Sequence, residues 1–224
     1  MSSKDFKISA SLMCADLANL ESEIKKLEKA GIDMLHIDIM DGHFVPNFTF
    51  GPDIVRAIRR ITCLPLDIHL MIENPEKYIE IWDIKDKDII TIHIETAGDI
   101  RQIIANIKSL GAKACISIKP KTPVEKIEPF LDEIDMILIM TVEPGFATQK
   151  WIPETLNKVK KLKRIVCHNN CCDLDIQVDG NIGEHNIRDL RDAGANVFVG
   201  GSASIFKDAN YKKNIEQMRN LLNS

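Results

Sequence analysis

Strand-like runs of hydrophobic residues recur eight times along the chain, and segments with apolar residues at helical spacing separate them. The strand-like runs cover residues 7–13, 34–40, 65–71, 89–95, 113–119, 136–142, 175–179 and 196–201. The helical segments cover residues 17–31, 51–61, 75–82, 99–111, 122–134, 153–166, 186–195 and 210–222. This regular alternation predicts an α/β protein with a parallel sheet.

The positions of glycine and proline agree with this alternation. Glycines stand at or next to the C-terminal ends of three of the helical segments, as C-terminal caps do, and prolines stand near the starts of three others. These residues are Gly31, Gly111, Gly194, Pro75, Pro123 and Pro153. No linker-like stretch divides the chain, so we predict a single domain over residues 1–224. Eight β/α units predict a (β/α)8 TIM barrel, although an open doubly wound sheet would show the same alternation.

Three of the predicted strands carry titratable side chains on one face. In the stretch "LHIDIMDGHFVPN", His36, Asp38 and Met40 share one face of the strand, and the isoleucines share the other. The stretches "LDIHLMI" and "ITIHIE" repeat the pattern, with Asp67, His69 and Met71, and with Thr91, His93 and Glu95. In a barrel the apolar faces would meet the helices and the polar faces would line the lumen, where the active site lies at the C-terminal ends of the strands.

Composition and charge exclude several classes of protein. Of the 224 residues, 45% are hydrophobic and 28% are charged, which argues against disorder. The formal net charge of -4 argues against a nucleic-acid partner, and the basic run "KVKKLKR" has the spacing of a solvated helix face. No apolar run reaches the roughly 18 residues needed to span a bilayer, and the start of the chain lacks the apolar core of a signal peptide. We expect a cytoplasmic protein with no membrane contact.

The six cysteines do not suggest a disulfide framework. Cys14, Cys63 and Cys115 lie in or beside apolar runs, where reduced cysteine behaves as a small core residue. The stretch "CHNNCC", from Cys167 to Cys172, is compatible with a metal-binding knuckle. A structural zinc site needs four well-spaced ligands, so a surface loop is the simpler interpretation.

Two candidate sites lie at the predicted strand ends. His36, Asp38, His69 and Asp179 are suitable ligands for one divalent metal such as Zn, Fe, Co or Mn, although they could instead hydrogen-bond only to one another. Glycines after the last two strands could bring backbone N–H groups close to a phosphate, at Gly180 and at Gly200, Gly201 and Ser202. Met40, Met71 and Met140 lie at comparable heights and could form an apolar wall or simply fill the core.

Several stretches, in order, resemble the ribulose-phosphate 3-epimerase family. They are "SLMCADLANL", "HIDIMDGHFVPNFTFGP", "DIHLMI", "MTVEPGF" followed by Gln149, "VDG" and "GGSA". The resemblance runs from Ile8 to the final helix. It implies a phosphate-binding (β/α)8 barrel that assembles as a homo-oligomer. It also implies an isomerase of the pentose phosphate pathway, which would interconvert D-ribulose 5-phosphate and D-xylulose 5-phosphate.

The resemblance also implies roles for individual residues. His36, Asp38, His69 and Asp179 would bind one divalent metal ion, and Asp38 and Asp179 would be the acid and base that epimerise C3 through an enediolate. Ser11, His69 and Gly145 would contact the sugar, and Gly180, Gly201 and Ser202 would hold the phosphate. Met40, Met71 and Met140 would flank the reacting carbon.

Two departures from the family pattern concern the phosphate loops. Ala147 and Thr148 stand where the family has glycines, and Asn181 follows Gly180 in place of another glycine. A positive φ would strain Thr148 but is tolerable for asparagine.

Alternative functions stay open at this point. One is epimerisation of a six-carbon ketose phosphate such as allulose 6-phosphate. Another is a metal-free lyase or decarboxylase, for which Lys119 is the best candidate lysine. A third is a barrel without catalytic activity, which the complete set of four metal ligands disfavours.

Overall fold

The computed structural model of the protein describes residues 6–96 and 98–224. Residues 1–5 lie outside the described residues. They are part of the predicted domain and of the N-terminal stretch that was considered as a signal peptide. The strands are β1 (Lys7–Ser11), β2 (Met34–Asp41), β3 (Phe48–Thr49), β4 (Leu66–Met71), β5 (Ile89–His93), β6 (Lys113–Ile118), β7 (Met136–Met140), β8 (Asp175–Asp179) and β9 (Val197–Gly200). The α-helices are α1 (Leu20–Lys29), α2 (Pro52–Ile61), α3 (Ile100–Ser109), α4 (Thr155–His168), α5 (Ile187–Asp192) and α6 (Tyr211–Asn223).

Eight parallel strands close into a barrel, across the ranges that the structure describes. Closure depends on β1, which pairs with β9 on one side and with β2 on the other. The short strand β3 is antiparallel to the end of β2 and does not belong to the barrel wall. The predicted (β/α)8 TIM barrel is therefore confirmed, and the open doubly wound sheet is excluded.

The core lies between the barrel wall and the helices. Outward-facing strand residues such as Ile37 and Ile68 are fully buried there against helix residues such as Ile24 and Leu27. Burial of each such side chain contributes about 1.5–3 kcal/mol relative to its exposed state. A smaller apolar cluster fills part of the lumen of the barrel, and it consists of Met34, Ile89, Cys115, Met136, Leu138, Met140 and Val197. The polar side chains at the C-terminal ends of the strands are consequently held on a rigid wall.

Two of the predicted helices are 3-10 turns instead of α-helices. The segment predicted at 75–82 forms the short turns Pro75–Lys77 and Ile79–Ile81. The segment predicted at 122–134 forms a 3-10 helix over Val124–Phe130, in which Pro129 lacks the N–H that an α-helix requires. A further 3-10 turn, Ile205–Lys207, follows the glycines at the end of β9.

Further 3-10 turns, Leu12–Cys14 and Leu17–Asn19, follow β1, so that strand ends two residues earlier than predicted. The three predicted glycine caps have positive φ, at +78° for Gly31, +84° for Gly111 and +113° for Gly194. Within the described ranges, every helix is too short or too polar to cross a bilayer.

Candidate active site

Two histidines and two aspartates meet at the C-terminal end of the barrel. His36 and Asp38 come from β2, His69 comes from β4 opposite Asp38 in register, and Asp179 ends β8. One ligand atom from each residue lies within 4.8 Å of the others. Among the residues that the structure describes, these four form a cluster of side chains close enough together to hold a metal ion. The structure thus brings together all four residues that the sequence predicted as ligands.

Asp38 is at the centre of this group. Its Oδ1 lies 3.2 Å from Nε2 of His36 and 3.2 Å from Nδ1 of His69, and its Oδ2 accepts a 2.9 Å hydrogen bond from the hydroxyl of Ser11. Burial alone would raise the pKa of Asp38, but the charge of His36 and the contacts with the imidazoles of His36 and His69 outweigh it and lower this pKa far below its usual value. Asp38 is therefore held as a carboxylate.

Asp179 has a different environment. Its Oδ2 is 4.0 Å from Nε2 of His36, and its side chain is 17% exposed toward the cavity above. Burial, which outweighs the opposing charge of His36 and is assisted by the charge of Asp38, raises the pKa of Asp179 to about 6. The two carboxyl groups therefore differ in how readily each holds a proton, as an acid and base pair requires.

The imidazole nitrogen of His36 that faces away from Asp38 contacts a buried carboxylate. Nδ1 of His36 lies 2.7 Å from Oδ2 of Asp67, which also accepts hydrogen bonds from Ser9 and Gln177. Burial opposes the charged imidazolium, but the charges of Asp67 and Asp38 outweigh it and raise the pKa of His36 well above its usual value. Since Nδ1 faces a carboxylate, Nε2 is the nitrogen that faces Asp38 and Asp179.

A cavity of about 550 Å³, counted out to its open mouth, lies above this group. The predicted site residues that line it are Ser11, Asp38, Met40, Met71, Met140, Gly145, Asp179, Gly180, Gly201 and Ser202. His36 and His69 are fully buried beneath this lining. His69 therefore lies with the ligand group beneath the lining, and its contact with the sugar stays a prediction.

The loops around the cavity contain two residues in a conformation that favours glycine. Thr148 has φ +63° and Asn181 has φ +54°, at the positions where the sequence lacks the family glycines. Gly180 itself has φ +119°, and a Cβ there would lie 2.8 Å from the backbone nitrogen of Val142. Only glycine fits at Gly180, whereas Thr148 pays the strain of an unusual backbone conformation.

Sequence reasoning did not assign His93 and Glu95 to the site. Nε2 of His93 lies 2.9 Å from Nε2 of His69, and Nδ1 of His93 lies 3.2 Å from Oε2 of Glu95. Burial lowers the pKa of His93 to about 4. The signal in the sequence was the alternation in "ITIHIE", which places His93 on the same face as His69 of the neighbouring strand.

The cysteine-rich stretch lies away from this site. Cys167 is in the last turn of α4, and Cys171 and Cys172 precede β8 at the opposite end of the barrel. All six cysteines are free, and the thiol of Cys171 donates to Oδ1 of Asp132 at 3.4 Å. These contacts agree with the interpretation of this stretch as a surface loop.

Comparisons with known proteins give a consistent result. Residues 7–206 match the model of the ribulose-phosphate 3 epimerase family. The chain is 45% identical over 213 residues to ribulose-phosphate 3-epimerase of Bacillus subtilis, covering 95% of this chain and 98% of that protein. It is 42% identical over 220 residues to ribulose-phosphate 3-epimerase of Synechocystis sp., covering 97% and 95%. A mutant tryptophan synthase alpha-subunit from Pyrococcus furiosus is similar in fold, with a TM-score of 0.67, 16% identity and coverage of 97% and 98%.

Proposed function

The chain belongs to the ribulose-phosphate 3-epimerase family and is an epimerase that acts on a sugar phosphate, and we propose that Asp38 and Asp179 move the proton at C3 of D-ribulose 5-phosphate and D-xylulose 5-phosphate. The observation that carries this proposal is the convergence of the two carboxyl groups, from β2 and from β8, on one cavity. Inversion of a carbon requires that a proton leave from one face and that another arrive on the opposite face. Two acid or base groups on separate walls meet that requirement.

The surroundings of each aspartate support its part in this exchange. Asp38 is held in one orientation by Ser11, His36 and His69, so it is a positioned acceptor for a proton. Asp179 has fewer contacts and its side chain is partly exposed to the cavity, so it could exchange a proton with the opposite face of C3. The C–H bond beside the ketone is weakly acidic, so the site must also stabilise the enediolate that proton loss leaves.

We propose that His36, Asp38, His69 and Asp179 hold one divalent metal ion. Two imidazole nitrogens and two carboxylate oxygens within 4.8 Å of one another form a donor set suited to Zn, Fe, Co or Mn. In the described chain, the recorded ion-pair partners of Asp38 and Asp179 are imidazoles, so no lysine or arginine competes for these oxygens. When bound, the ion would supply positive charge that stabilises negative charge developing on the substrate oxygens.

The remaining cavity residues are assigned by position. Met40, Met71 and Met140 form an apolar wall around Asp38 and Asp179 that would limit the access of water to the reacting carbon. Ser11 and Gly145 line the cavity and would contact the sugar. Gly180, Gly201 and Ser202 follow β8 and β9, where backbone N–H groups can approach a phosphate. His69 is fully buried beneath this lining, so its burial supports the metal role, and its contact with the sugar stays a prediction.

A single set of measurements tests these assignments. The purified protein should bind one metal ion per chain by elemental analysis, lose epimerase activity on D-ribulose 5-phosphate after treatment with a chelator, and regain it when a divalent metal is added. Full activity in metal-depleted protein would contradict the metal site. Allulose 6-phosphate, tested in parallel, distinguishes the substrates, and a higher kcat/KM for this six-carbon sugar would contradict the five-carbon assignment.

A further inference from the structure

A chain of hydrogen bonds leads from the surface of the barrel end to the metal site. We propose that Glu95 and His93 are positioning residues that keep a proton on Nε2 of His69, so that Nδ1 of His69 is the nitrogen left to bind a metal ion beside Asp38 and Asp179. This inference rests on the proposed function, because it assigns supporting residues to the metal site described above.

The rings of His69 and His93 meet edge to edge. Their Nε2 atoms are 2.9 Å apart, the ring centroids are 5.0 Å apart, and the ring planes differ by 27°. The centroid distance exceeds the distance between the nitrogens by about two ring radii, as expected for a hydrogen bond near the plane of both rings. One proton occupies this bond, so one Nε2 donates and the other accepts.

Glu95 determines which of the two Nε2 atoms donates that hydrogen bond. Its Oε1 accepts a 2.8 Å hydrogen bond from the backbone N–H of Lys119 and a second from the hydroxyl of Thr122. Its Oε2 faces Nδ1 of His93 at 3.2 Å. Burial would raise the pKa of Glu95, but the hydrogen bonds from His93 and Thr122 outweigh it and lower this pKa to about 2. An ionised carboxylate only accepts, so Nδ1 of His93 must be the donor.

The direction then passes along the chain of rings. Since Nδ1 of His93 donates to Glu95, Nε2 of His93 is the nitrogen that accepts from Nε2–H of His69. Nδ1 of His69, 3.2 Å from Oδ1 of Asp38, is thereby the nitrogen available to a metal. The contact between His36 and Asp67 does the same for the other ring, from Nδ1 to a carboxylate. Both imidazoles therefore present one nitrogen to the site and donate from the other.

The variant Glu95→Gln tests the proposal because it has almost the same shape. The backbone N–H of Lys119 cannot accept, so the amide oxygen must stay on that side and the amide NH2 must face Nδ1 of His93. His93 should then carry its proton on Nε2 and donate to His69, whose own proton moves to Nδ1. Nitrogen NMR of the histidine side chains in the metal-free protein should show His93 protonated on Nδ1 in the parent and on Nε2 in the variant, with the signal assigned by its loss in His93→Gln.

The affinity for Zn²⁺ or Mn²⁺, measured by competition with a chelator, provides a second readout. We expect Glu95→Gln to bind the metal about 10- to 100-fold more weakly than the parent. Glu73→Gln makes the same chemical change at an exposed position after β4 and should match the parent in both measurements.

Two results would overturn the proposal. One is a parent protein in which His93 carries its proton on Nε2, a measurement that does not depend on whether any variant folds. The other is a folded Glu95→Gln variant with an unchanged His93 tautomer and an unchanged metal affinity. A parent that binds no metal would instead contradict the proposed metal site, since the tautomers are measured in metal-free protein.

Discussion

The hydroxyl of Ser11 donates a 2.9 Å hydrogen bond to Oδ2 of Asp38, the carboxylate oxygen that does not face the two imidazoles. Ser11 is the last residue of β1, and it is paired in register with His36 on β2. The closure of the barrel between β1 and β2 therefore brings this hydroxyl to the carboxylate. Both oxygens of Asp38 are held, which fixes the direction in which this group can accept a proton.

We expect Ser11→Ala to lower kcat by about tenfold or more, because a hydrogen bond to a charged group contributes about 1.5–3 kcal/mol. The metal should stay bound, since the four proposed ligands are unchanged. Steady-state kinetics together with metal analysis measure both effects. Ser117→Ala, a buried serine of β6, is the matched control and should keep the parent kcat. An unchanged kcat in Ser11→Ala would show that this hydrogen bond does not position Asp38.

The conformation of Thr148 predicts a gain in stability on replacement by glycine. Its φ of +63° is strained for a β-branched residue, and its side chain is exposed, so little packing is lost. Relief of about 1–3 kcal/mol of strain should exceed the entropic cost of glycine, about 0.4–1 kcal/mol. We expect Thr148→Gly to raise the free energy of unfolding, measured with denaturant.

Ala147→Gly is the control for the Thr148 variant, because the neighbouring Ala147 does not have a positive φ. This change adds the entropic cost without relieving strain, so it should lower the free energy of unfolding by about 0.4–1 kcal/mol. If the two glycine variants lower stability equally, the backbone at Thr148 is not strained.

Glu95 should make part of the stability depend on pH. Burial raises its pKa, but the hydrogen bonds from His93 and Thr122 outweigh this and lower it from 4.5 to about 2. A carboxyl whose pKa is lower in the folded state stabilises the fold above its unfolded pKa, and this contribution is lost as the pH falls toward the folded value. The difference in unfolding free energy between the parent and Glu95→Gln should therefore shrink as the pH falls below 4.5.

Denaturant unfolding of metal-free protein between neutral pH and about pH 3 measures this difference, in a range where carboxyl groups titrate. Glu73→Gln controls for the loss of one carboxylate at an exposed position. A difference between the parent and Glu95→Gln that grows as the pH falls would contradict the lowered pKa.

Much of the fold could be predicted because the strands repeat a simple pattern. In β2 the apolar side chains of Ile37 and Ile39 face the helices, while His36 and Asp38 face the lumen, so the period of two determined both the strand and its chemical face. The segments at 75–82 and 122–134 were less predictable. Their apolar spacing suits a helix, but prolines such as Pro129 interrupt the hydrogen bonding that a regular α-helix needs.

The supporting residues of the site could not be assigned from the sequence. His93 was visible on the polar face of its strand, but its contact with His69 depends on the register between β4 and β5 and on ring orientations. Similarly, Asp67 belonged to a predicted strand, yet its bond to His36 crosses from β4 to β2. Spacing along one strand gives the face of a residue, whereas its partner is determined by the neighbouring strand.

The assignment of Asp38 and Asp179 as the two bases predicts an asymmetry between their variants. If each serves one face of C3, product formed in deuterated water should carry one solvent deuteron at C3. Asp38→Asn and Asp179→Asn should each lower the rate of epimerisation by at least about a hundredfold, as the removal of a positioned acid or base does. Asp53→Asn, an exposed change on α2, should keep the parent rate.

Because both aspartates are also proposed ligands, a slow variant by itself does not separate catalysis from metal binding. Variants that retain the metal must therefore be compared for exchange of the C3 proton without inversion, starting from each epimer in turn. The base that remains can remove and return the proton on its own face, so Asp38→Asn should exchange only one epimer and Asp179→Asn only the other. Mass spectrometry of the recovered sugar phosphates measures this exchange. A metal-loaded variant of either aspartate that epimerises near the parent rate would exclude this pair as the two bases, since inversion would then proceed without one of them.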